Sequence, residues 1–294
     1  MRPADLARLV VLGALWGASY LFMRLAVPHV GAEWVVEGRT LVGGLVLAAF
    51  IVLTGRGFAL RRHWRGYLVV GIVGVALPFW LIGTAVKTID ASTAAILNTT
   101  SPIFSALVAS VWIRDRLTVE KGAGIALSIA GIAILVGWTP KPMSSAELFA
   151  CLLILAACMC YGWVSVFTKV HLKEAPSSAL AAISCLIAAG TLAPFTPWAT
   201  VLAPVPAIAW VSVIALGIFS TGVAFILYYR LITDLGPVKA LMVTLLIPVF
   251  GIFWGVLLLG EPVTPGRIAG CAIVLAGCAL ALGLVRLPSR PPAG

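Results

Sequence analysis

Apolar runs about as long as a lipid bilayer is thick follow one another along the whole chain. Ten windows of roughly 20 residues can be placed, each able to cross ~30 Å of hydrocarbon as a helix that rises about 1.5 Å per residue. They lie near residues 7–27, 33–53, 66–86, 91–113, 119–138, 146–168, 177–196, 207–230, 237–259 and 265–285. A soluble fold of 294 residues could not cover its surface when only 10% of them are charged. The sequence therefore predicts an all-α membrane protein with ten transmembrane helices.

Lysine and arginine residues lie mainly in every second loop between the predicted helices. If the N-terminus is cytoplasmic, fifteen of the 20 basic residues lie on the cytoplasmic side, as the positive-inside rule requires. The other five are Arg24, Arg39, Lys87, Lys141 and Arg267. We therefore expect both termini in the cytoplasm. We attribute the net charge of +10 to membrane topology and anionic lipid, and we expect no nucleic-acid partner.

The sequence carries no pattern for a cofactor, a metal ion or a catalytic nucleophile. All six cysteines lie in apolar windows, away from any histidine at metal-ligand spacing, and are expected to pack as small apolar side chains. Neither a P-loop nor a nucleophile elbow occurs. We expect a protein without enzymatic activity, cofactor or metal, whose partners are the lipid bilayer and a small-molecule substrate.

The second half of the sequence repeats the first. At an offset of 146 positions, Pro102 aligns with Pro248 and Asp115 aligns with Glu261, and several glycines align without a gap. Coincidence in a glycine-rich chain would not also pair the prolines and the acidic residues. The sequence therefore indicates an internal repeat.

Each predicted repeat, residues 1–140 and residues 141–294, contains five helices. Because five is odd, the second repeat enters the membrane from the opposite side. Inverted repeats are an architecture of transporters, in which the substrate binds near the midplane between the halves and rocking of the halves alternates access. The sequence therefore predicts a secondary transporter. No pattern requires self-association, so we expect a monomer and leave a dimer open.

Three stretches of the sequence resemble a known family. They are ALWGASYLFMRLA, LNTTSPIFSALVASVWIRDRLT and LLIPVFGIFWGVLLLGEPVTPGRIAG, which are similar to the paired EamA domains of the drug/metabolite transporter superfamily. The resemblance implies a ten-helix exporter of the bacterial inner membrane, and it extends to the branch that exports amino acids, including aromatic ones. One departure is Asp115, where the family more often carries glutamate, as at Glu261.

Several residues have the spacing of helix caps. Asp90 is expected to cap the fourth helix, and Thr264 followed by Pro265 is expected to open the tenth. We expect Asp115 and Glu261 to stabilise the positive ends of the helices that follow them rather than to take part in transport.

Polar residues and prolines mark a candidate pathway. Pro78, Pro102 and Pro248 lie well inside their windows, where proline frees a backbone carbonyl that protein or water in a cavity must satisfy. Asn98 and Thr244 are equivalent positions of the two repeats, and we expect them to hydrogen-bond the substrate. Helix bending for packing and hydrogen bonds between helices are the alternatives.

Aromatic residues of the predicted first, third, sixth and eighth helices could line the same pathway. Their rings would bind apolar side chains and could attract an ammonium group, although tryptophan and tyrosine also form belts at membrane interfaces. The aromatic candidates are Trp16, Tyr20, Phe79, Trp80, Tyr161, Trp163, Phe225 and Tyr228.

No charged residue is expected near the middle of a predicted helix, because Glu37 and Arg39 lie in the outer third of the second window. Buried acids are the usual proton relays, so we expect an uncharged passage and either a gradient-driven facilitator or coupling that uses no carboxylate within the membrane. The predicted function is export of neutral amino acids, including aromatic ones, or of similar small metabolites. The alternative on the same fold is a multidrug or quaternary-ammonium exporter. An intramembrane enzyme or a lipid flippase would need a catalytic cluster or a basic headgroup site, which the sequence lacks.

Overall fold

The part of the chain that the structure describes is mainly helical. The structure is a computed structural model, and it describes residues 2–115, 118–137, 143–196, 204–235, 240 and 242–285. Its α-helices are α1 (Pro3–Leu53), α2 (Leu60–Val69), α3 (Leu77–Ala85), α4 (Ala91–Asn98), α5 (Ser101–Trp112), α6 (Val119–Gly137), α7 (Ser145–His171), α8 (Ser177–Leu192), α9 (Ala207–Gly217), α10 (Ala224–Leu235), α11 (Val243–Leu259) and α12 (Pro265–Ala281). Two π-helical segments, Val70–Ala76 and Ile218–Val223, join α2 to α3 and α9 to α10, and a short 3-10 helix, Ala193–Phe195, follows α8. No strand occurs among these described residues.

Within the described ranges, six helical segments are long and apolar enough to cross a membrane. They are Pro3–Leu53, Leu60–Ala85, Ala91–Trp112, Ser145–His171, Ser177–Phe195 and Ala207–Leu235. Helices α11 and α12 are apolar but shorter. The expected all-α class is confirmed, whereas the count of ten membrane helices stays a prediction.

The longest helix, α1, contains the first two predicted windows. If it were straight, its 51 residues would extend about 76 Å, more than twice the ~30 Å of a hydrocarbon layer. Its backbone leaves the helical region at Gly31 (φ 83°, ψ 162°), a conformation that glycine adopts without a steric penalty. The kink therefore divides α1 into two arms, residues 3–30 and residues 32–53.

Helices α4 and α5 are separated by a two-residue break at Thr99 and Thr100, because Pro102 has no N–H to bond the carbonyl oxygen of Asn98. The hydroxyl groups of Thr99, Thr100 and Ser101 donate to carbonyl oxygens three or four residues earlier, at 2.9, 2.7 and 2.7 Å. These hydroxyl groups satisfy the backbone at the break. The polar run of this helix therefore serves mainly its own fold.

The two π-helical segments occupy corresponding places in the two halves. The repeat offset of 146 carries Val70–Ala76 onto residues 216–222, which overlap Ile218–Val223. Turns of this kind are rare and are frequently found at functional sites. Their recurrence supports the internal repeat and draws attention to the side chains around them.

Helices α6 and α12 pack directly against each other through glycines. A Cβ atom on Gly124 would lie 2.6 Å from the carbonyl oxygen of Gly277, and one on Gly131 would lie 3.0 Å from that of Gly270. Later residues of α6 therefore meet earlier residues of α12, so the two helices are antiparallel. Small residues allow this close approach of two backbones.

A second helix contact recurs in the two halves. A Cβ atom on Gly17 of α1 would lie 2.6 Å from Cβ of Phe250 in α11, and one on Gly162 of α7 would lie 2.9 Å from Cβ of Phe104 in α5. Gly162 and Phe250 are the repeat equivalents of Gly17 and Phe104, at offsets of 145 and 146. The contact between α1 and α11 is thus repeated between α7 and α5, with the roles of the two halves exchanged.

Candidate functional site

Arg39, in the second arm of α1, is buried between helices from both halves and is only 5% exposed. Its Nε and Nη2 atoms each donate to Oγ1 of Thr221 at 3.3 Å. Its guanidinium carbon lies 3.9 Å from the centre of the Phe79 ring, and Nη1 lies 4.0 Å from Sδ of Met23. One side chain of α1 thus contacts α3 and the π-helical segment before α10.

Two tyrosines and an asparagine complete the surroundings of this arginine. Tyr20 belongs to the same packed core as Met23, whose sulfur lies against Arg39, and Tyr161 packs against that core. The Asn98 side chain lies near Tyr20, and its Oδ1 accepts from Sγ of Cys158 at 3.6 Å. We name Tyr20, Arg39, Phe79, Asn98, Tyr161 and Thr221 the central cluster.

The central cluster brings together four of the residues predicted from the sequence, namely Tyr20, Phe79, Asn98 and Tyr161. They come from α1, α3, α4 and α7. Tyr161 belongs to the second half of the chain and the other three belong to the first. The cluster is therefore built by both halves.

Sequence reasoning misses Arg39 and Thr221, and it does not anticipate a charged side chain buried between the two halves. The Cα atom of Arg39 lies in the outer third of its window, but the long side chain carries the charge to Thr221, the middle residue of the helical stretch Ala207–Leu235. A signal was present in the sequence, because a charged residue inside an apolar window is a candidate functional residue by default. In addition, no acidic residue lies three or four positions from Arg39, where it could form an ion pair with Arg39 along the same helix.

The charge of Arg39 has no acidic partner. All ten acidic residues of the chain lie in the described ranges, and none of them forms an ion pair with Arg39. The two acids of the same arm bind other groups, since Glu37 accepts from the Thr196 hydroxyl and Glu33 accepts from an indole N–H at 3.1 Å. The central cluster therefore carries a positive charge.

A second group of aromatic residues adjoins the central cluster. The ring centre of Trp16 lies 6.1 Å from that of Phe225 and 5.3 Å from that of Tyr228, and Phe225 stacks on Tyr229 at 6.0 Å. Trp16 lies one helical turn before Tyr20 on the same face of α1. We name Trp16, Phe225, Tyr228 and Tyr229 the aromatic cluster.

Two predicted residues lie outside both clusters. Trp80 donates its indole N–H to Glu33, at the start of the second arm of α1. Trp163 stacks on Phe167 at 5.3 Å, in a row of rings on the other side of α7 from Tyr161. The cause is helical geometry, since two positions along a helix turn a side chain by about 200°. Thr244, half-buried in the first turn of α11, is not assigned to either cluster.

Two open cavities lie at one end of the bundle. The first has a volume of about 420 Å³, lies between the loop after α1, the start of α8 and the end of α10, and is lined in part by Arg56, Ser178 and Tyr229. Through Tyr229 it reaches the aromatic cluster. The second, of about 440 Å³, lies between α2 and the end of α7 and reaches the ring of Phe167. Basic residues of the predicted cytoplasmic loops line both cavities.

The opposite end of the bundle is tied together by a largely buried ionic network. Glu261 accepts from the backbone N–H groups of Ala91 at 2.8 Å and Ser92 at 3.1 Å, and also from the Ser92 hydroxyl. Arg267 lies 3.7 Å from Glu261 and forms an ion pair with Asp90. Glu261 and Arg267 are 8% and 7% exposed. The network therefore fastens the first turn of α4 to the start of α12.

This network corrects two of the predicted helix caps. The Asp90 side chain does not cap α4, since it binds Arg267, and Glu261 caps α4 instead of the helix that follows it. Thr264 caps α12 as predicted, because its hydroxyl accepts from the backbone N–H of Arg267 at 3.2 Å. The carboxylate of Glu261 is therefore not needed at the start of α12. Asp115 forms an ion pair with Lys121 at 3.0 Å.

The sequence profile of the EamA-like transporter family matches residues 7–137 and again residues 148–283. The chain belongs to the EamA-like transporter family. This result confirms the resemblance to the drug/metabolite transporter superfamily. Together with the apolar helices, it identifies the chain as a multi-pass membrane transporter of small molecules.

Several curated relatives are similar to this EamA-like transporter over most of its length. An uncharacterized transporter of Bacillus subtilis, YoaV, is 21% identical over 269 residues, which cover 90% of this chain and 91% of the relative. An S-adenosylmethionine/S-adenosylhomocysteine transporter of Chlamydia muridarum is 25% identical over 286 residues, which cover 90% of this chain and 87% of the relative. A crystal structure shares the fold, with a TM-score of 0.66 and 21% identity over 97% of this chain and 98% of the other.

Proposed function

We propose that this EamA-like transporter exports neutral amino acids, including aromatic ones, or similar small metabolites by alternating access. The observation that carries the proposal is the central cluster, where Arg39 of the first half donates to Thr221 of the second and Asn98 accepts from Cys158. A site shared by two halves changes its access when the halves rock against each other. The polar groups suit the head group of an amino acid, and the adjoining aromatic cluster suits its apolar side chain.

The proposal includes two inverted repeats, residues 1–140 and residues 141–294, with five membrane helices each. Inversion requires equivalent helices to run in opposite directions, and α6 and α12 are antiparallel at their glycine contact. The recurrent contact between α1 and α11 and between α7 and α5 gives further support. So does the family profile, which matches the two halves separately.

We infer that the two open cavities face the cytoplasm of a bacterium and that the Glu261 network faces the outside of its inner membrane, with both termini cytoplasmic. The basic side chains of Arg56, Arg62 and Arg65 at the cavity end support this orientation. An exporter in this conformation would receive its substrate from the cytoplasm. Since one chain supplies every residue of both clusters, the proposed working unit is a monomer.

Single cysteines test this orientation. Thr54→Cys at the cavity end and Val263→Cys at the network end introduce thiols at exposed positions. A membrane-impermeant maleimide added to intact spheroplasts should label Val263→Cys and leave Thr54→Cys unlabelled. The unsubstituted protein is the control, since five of its six cysteines are buried and the sixth is partly buried. The reverse labelling pattern would contradict the proposed orientation.

Two observations favour amino acids over quaternary ammonium compounds. The Chlamydia relatives are named as transporters of S-adenosylmethionine and S-adenosylhomocysteine, and both molecules contain an amino-acid head group. In addition, the buried charge of Arg39 would repel a purely cationic substrate, because little water is present to screen it. The multidrug alternative therefore has less support from the site.

Efflux from proteoliposomes tests the proposed function. Vesicles loaded with labelled phenylalanine, leucine or threonine should release them faster than vesicles without protein. The rate should be the same with and without a pH gradient, because the central cluster contains no acidic residue to carry a proton. Release of tetraethylammonium without release of any amino acid would reject the proposal in favour of the multidrug alternative. Strict dependence on the pH gradient would reject the facilitator mechanism.

A further inference from the structure

Arg39 has more hydrogen-bond donors than its surroundings have acceptors. A guanidinium group carries five N–H donors and keeps its proton in proteins. The described contacts supply the hydroxyl of Thr221, which two nitrogens share, the weakly accepting sulfur of Met23 and the face of the Phe79 ring. A buried charge without an opposite charge is costly. The site is therefore incomplete without a further acceptor.

Two other arginines in the interior of this chain have carboxylate or carbonyl acceptors from the chain itself. Arg267, which is as buried as Arg39, forms ion pairs with Asp90 and Glu261. Arg24, which is half-buried, donates to two backbone carbonyl oxygens just after α3. Of these three arginines, only Arg39 is without a carboxylate or a carbonyl oxygen. The difference indicates that its missing acceptor comes from outside the chain.

We propose that Arg39 binds a carboxylate group of the transported metabolite. The inference rests on the proposed function and narrows it to substrates that carry a carboxylate beside an apolar group. A planar guanidinium matches the two oxygens of a carboxylate, which can accept two parallel N–H bonds. Tyr20 and Tyr161 pack in the core beside Arg39, and tyrosine hydroxyl groups can donate to a carboxylate.

The surroundings of Arg39 also orient such a substrate. The Phe79 ring lies against the guanidinium group, so a ligand must approach from another side. Trp16 lies one helical turn from Tyr20, and it joins the aromatic cluster to the central cluster. A substrate with its carboxylate on Arg39 can therefore extend its apolar part towards Trp16 and Phe225.

Matched ligand pairs on the purified wild-type protein test this inference. The pairs are phenylalanine with phenylalaninamide and leucine with leucinamide, in which a neutral amide replaces the carboxylate and the ammonium group is kept. Binding can be followed by thermal stabilisation of the protein in detergent. We expect each amino acid to bind roughly 10- to 100-fold more tightly than its amide, as for hydrogen bonds between charged groups. Equal affinities within the pairs, or no binding of any of the four compounds, would overturn the inference.

Three variants separate carboxylate binding from a structural role of the arginine. Arg39→Gln should lose the preference for the acids over the amides, whereas Arg39→Lys keeps the charge and should retain the preference. Arg24→Gln is the matched control, because it makes the same change at an arginine that lies outside both clusters and donates to backbone carbonyl oxygens. Retention of the full preference by Arg39→Gln, or its loss in Arg24→Gln, would contradict the inference. If Arg39→Gln fails to fold, the wild-type ligand pairs still decide the question.

Failure of this inference is distinguishable from failure of the proposed function. The carboxylate preference is measured as binding to solubilised protein, whereas export is measured as efflux from proteoliposomes. Equal binding and equal efflux of amino acids and their amides would reject the role of Arg39 and leave the export function in place. Preferential binding of amino acids without any efflux would support Arg39 as the carboxylate site and reject export.

Discussion

The carboxylate of Glu261 should contribute more to the stability of this EamA-like transporter than its equivalent in the first half, Asp115. Glu261 is 8% exposed and accepts from the backbone N–H groups of Ala91 and Ser92. The side chain of Asp115 is 45% exposed and forms an ion pair with Lys121. The substitutions Glu261→Gln and Asp115→Asn each remove one negative charge and leave the size of the side chain nearly unchanged.

The expected loss of unfolding free energy for Glu261→Gln is about 2–4 kcal/mol. A hydrogen bond to a charged group contributes about 1.5–3 kcal/mol. Both carboxylate oxygens of Glu261 accept backbone hydrogen bonds, so the amide nitrogen of a glutamine must face one N–H donor of α4 and leave it unpaired. The substitution also removes one of the two acidic partners of Arg267. Asp115→Asn should cost only about 0–1 kcal/mol, because exposed ion pairs contribute little.

Titration of the folded protein with sodium dodecyl sulfate, followed by circular dichroism, measures both differences in one lipid–detergent mixture. We expect a clear shift of the unfolding midpoint for Glu261→Gln and almost none for Asp115→Asn. Equal shifts for the two variants would refute the reasoning, because burial and capping of α4 would then make no difference. A third variant, Ser92→Ala, removes one donor to the same carboxylate and should give an intermediate shift.

Two further comparisons test the site and the scaffold. Asn98→Ala should slow amino-acid efflux from proteoliposomes roughly 5-fold, the effect of one hydrogen bond, whereas Trp163→Ala, which lies outside both clusters, should leave the rate close to that of wild type. A wild-type rate for Asn98→Ala would remove this residue from the site. Gly124→Leu should abolish folding, judged by size-exclusion chromatography, because its Cβ would lie 2.6 Å from the Gly277 carbonyl oxygen, whereas Gly122→Leu points into open space and should be tolerated. A monodisperse Gly124→Leu protein would contradict the packing argument.

The helical part of the fold follows from the sequence because backbone groups in a bilayer must be satisfied within the segment. An apolar window therefore predicts a helix and its approximate ends, and the windows 119–138 and 265–285 correspond to Val119–Gly137 and Pro265–Ala281. The π-helical segments cannot be predicted from the sequence in this way. They depend on how neighbouring helices pack, and apolar windows contain no information about this.

The candidate site is only partly predictable because helix rotation decides which side chains meet. Phe79 and Trp80 are adjacent in sequence, yet about 100° of rotation separates them, so that one lies on Arg39 and the other binds Glu33. Arg39 itself is overlooked when depth is judged from its Cα atom. A long arginine side chain can place its charge several positions away from the level of its own backbone.

The two halves of the proposed repeat share a backbone contact at Arg39, but only the first half carries a charge there. A Cβ atom on Gly217 would lie 3.3 Å from the carbonyl oxygen of Arg39, and one on Gly71 would lie 3.0 Å from that of Ser184. Ser184 is the equivalent of Arg39 at the offset of 145, so the backbone contact recurs while the guanidinium group does not. Symmetric contacts allow two inverted halves to adopt two conformations of similar energy. A charge in one half alone would keep the carboxylate of a bound substrate on the same helix in both conformations, because Arg39 moves with its own half.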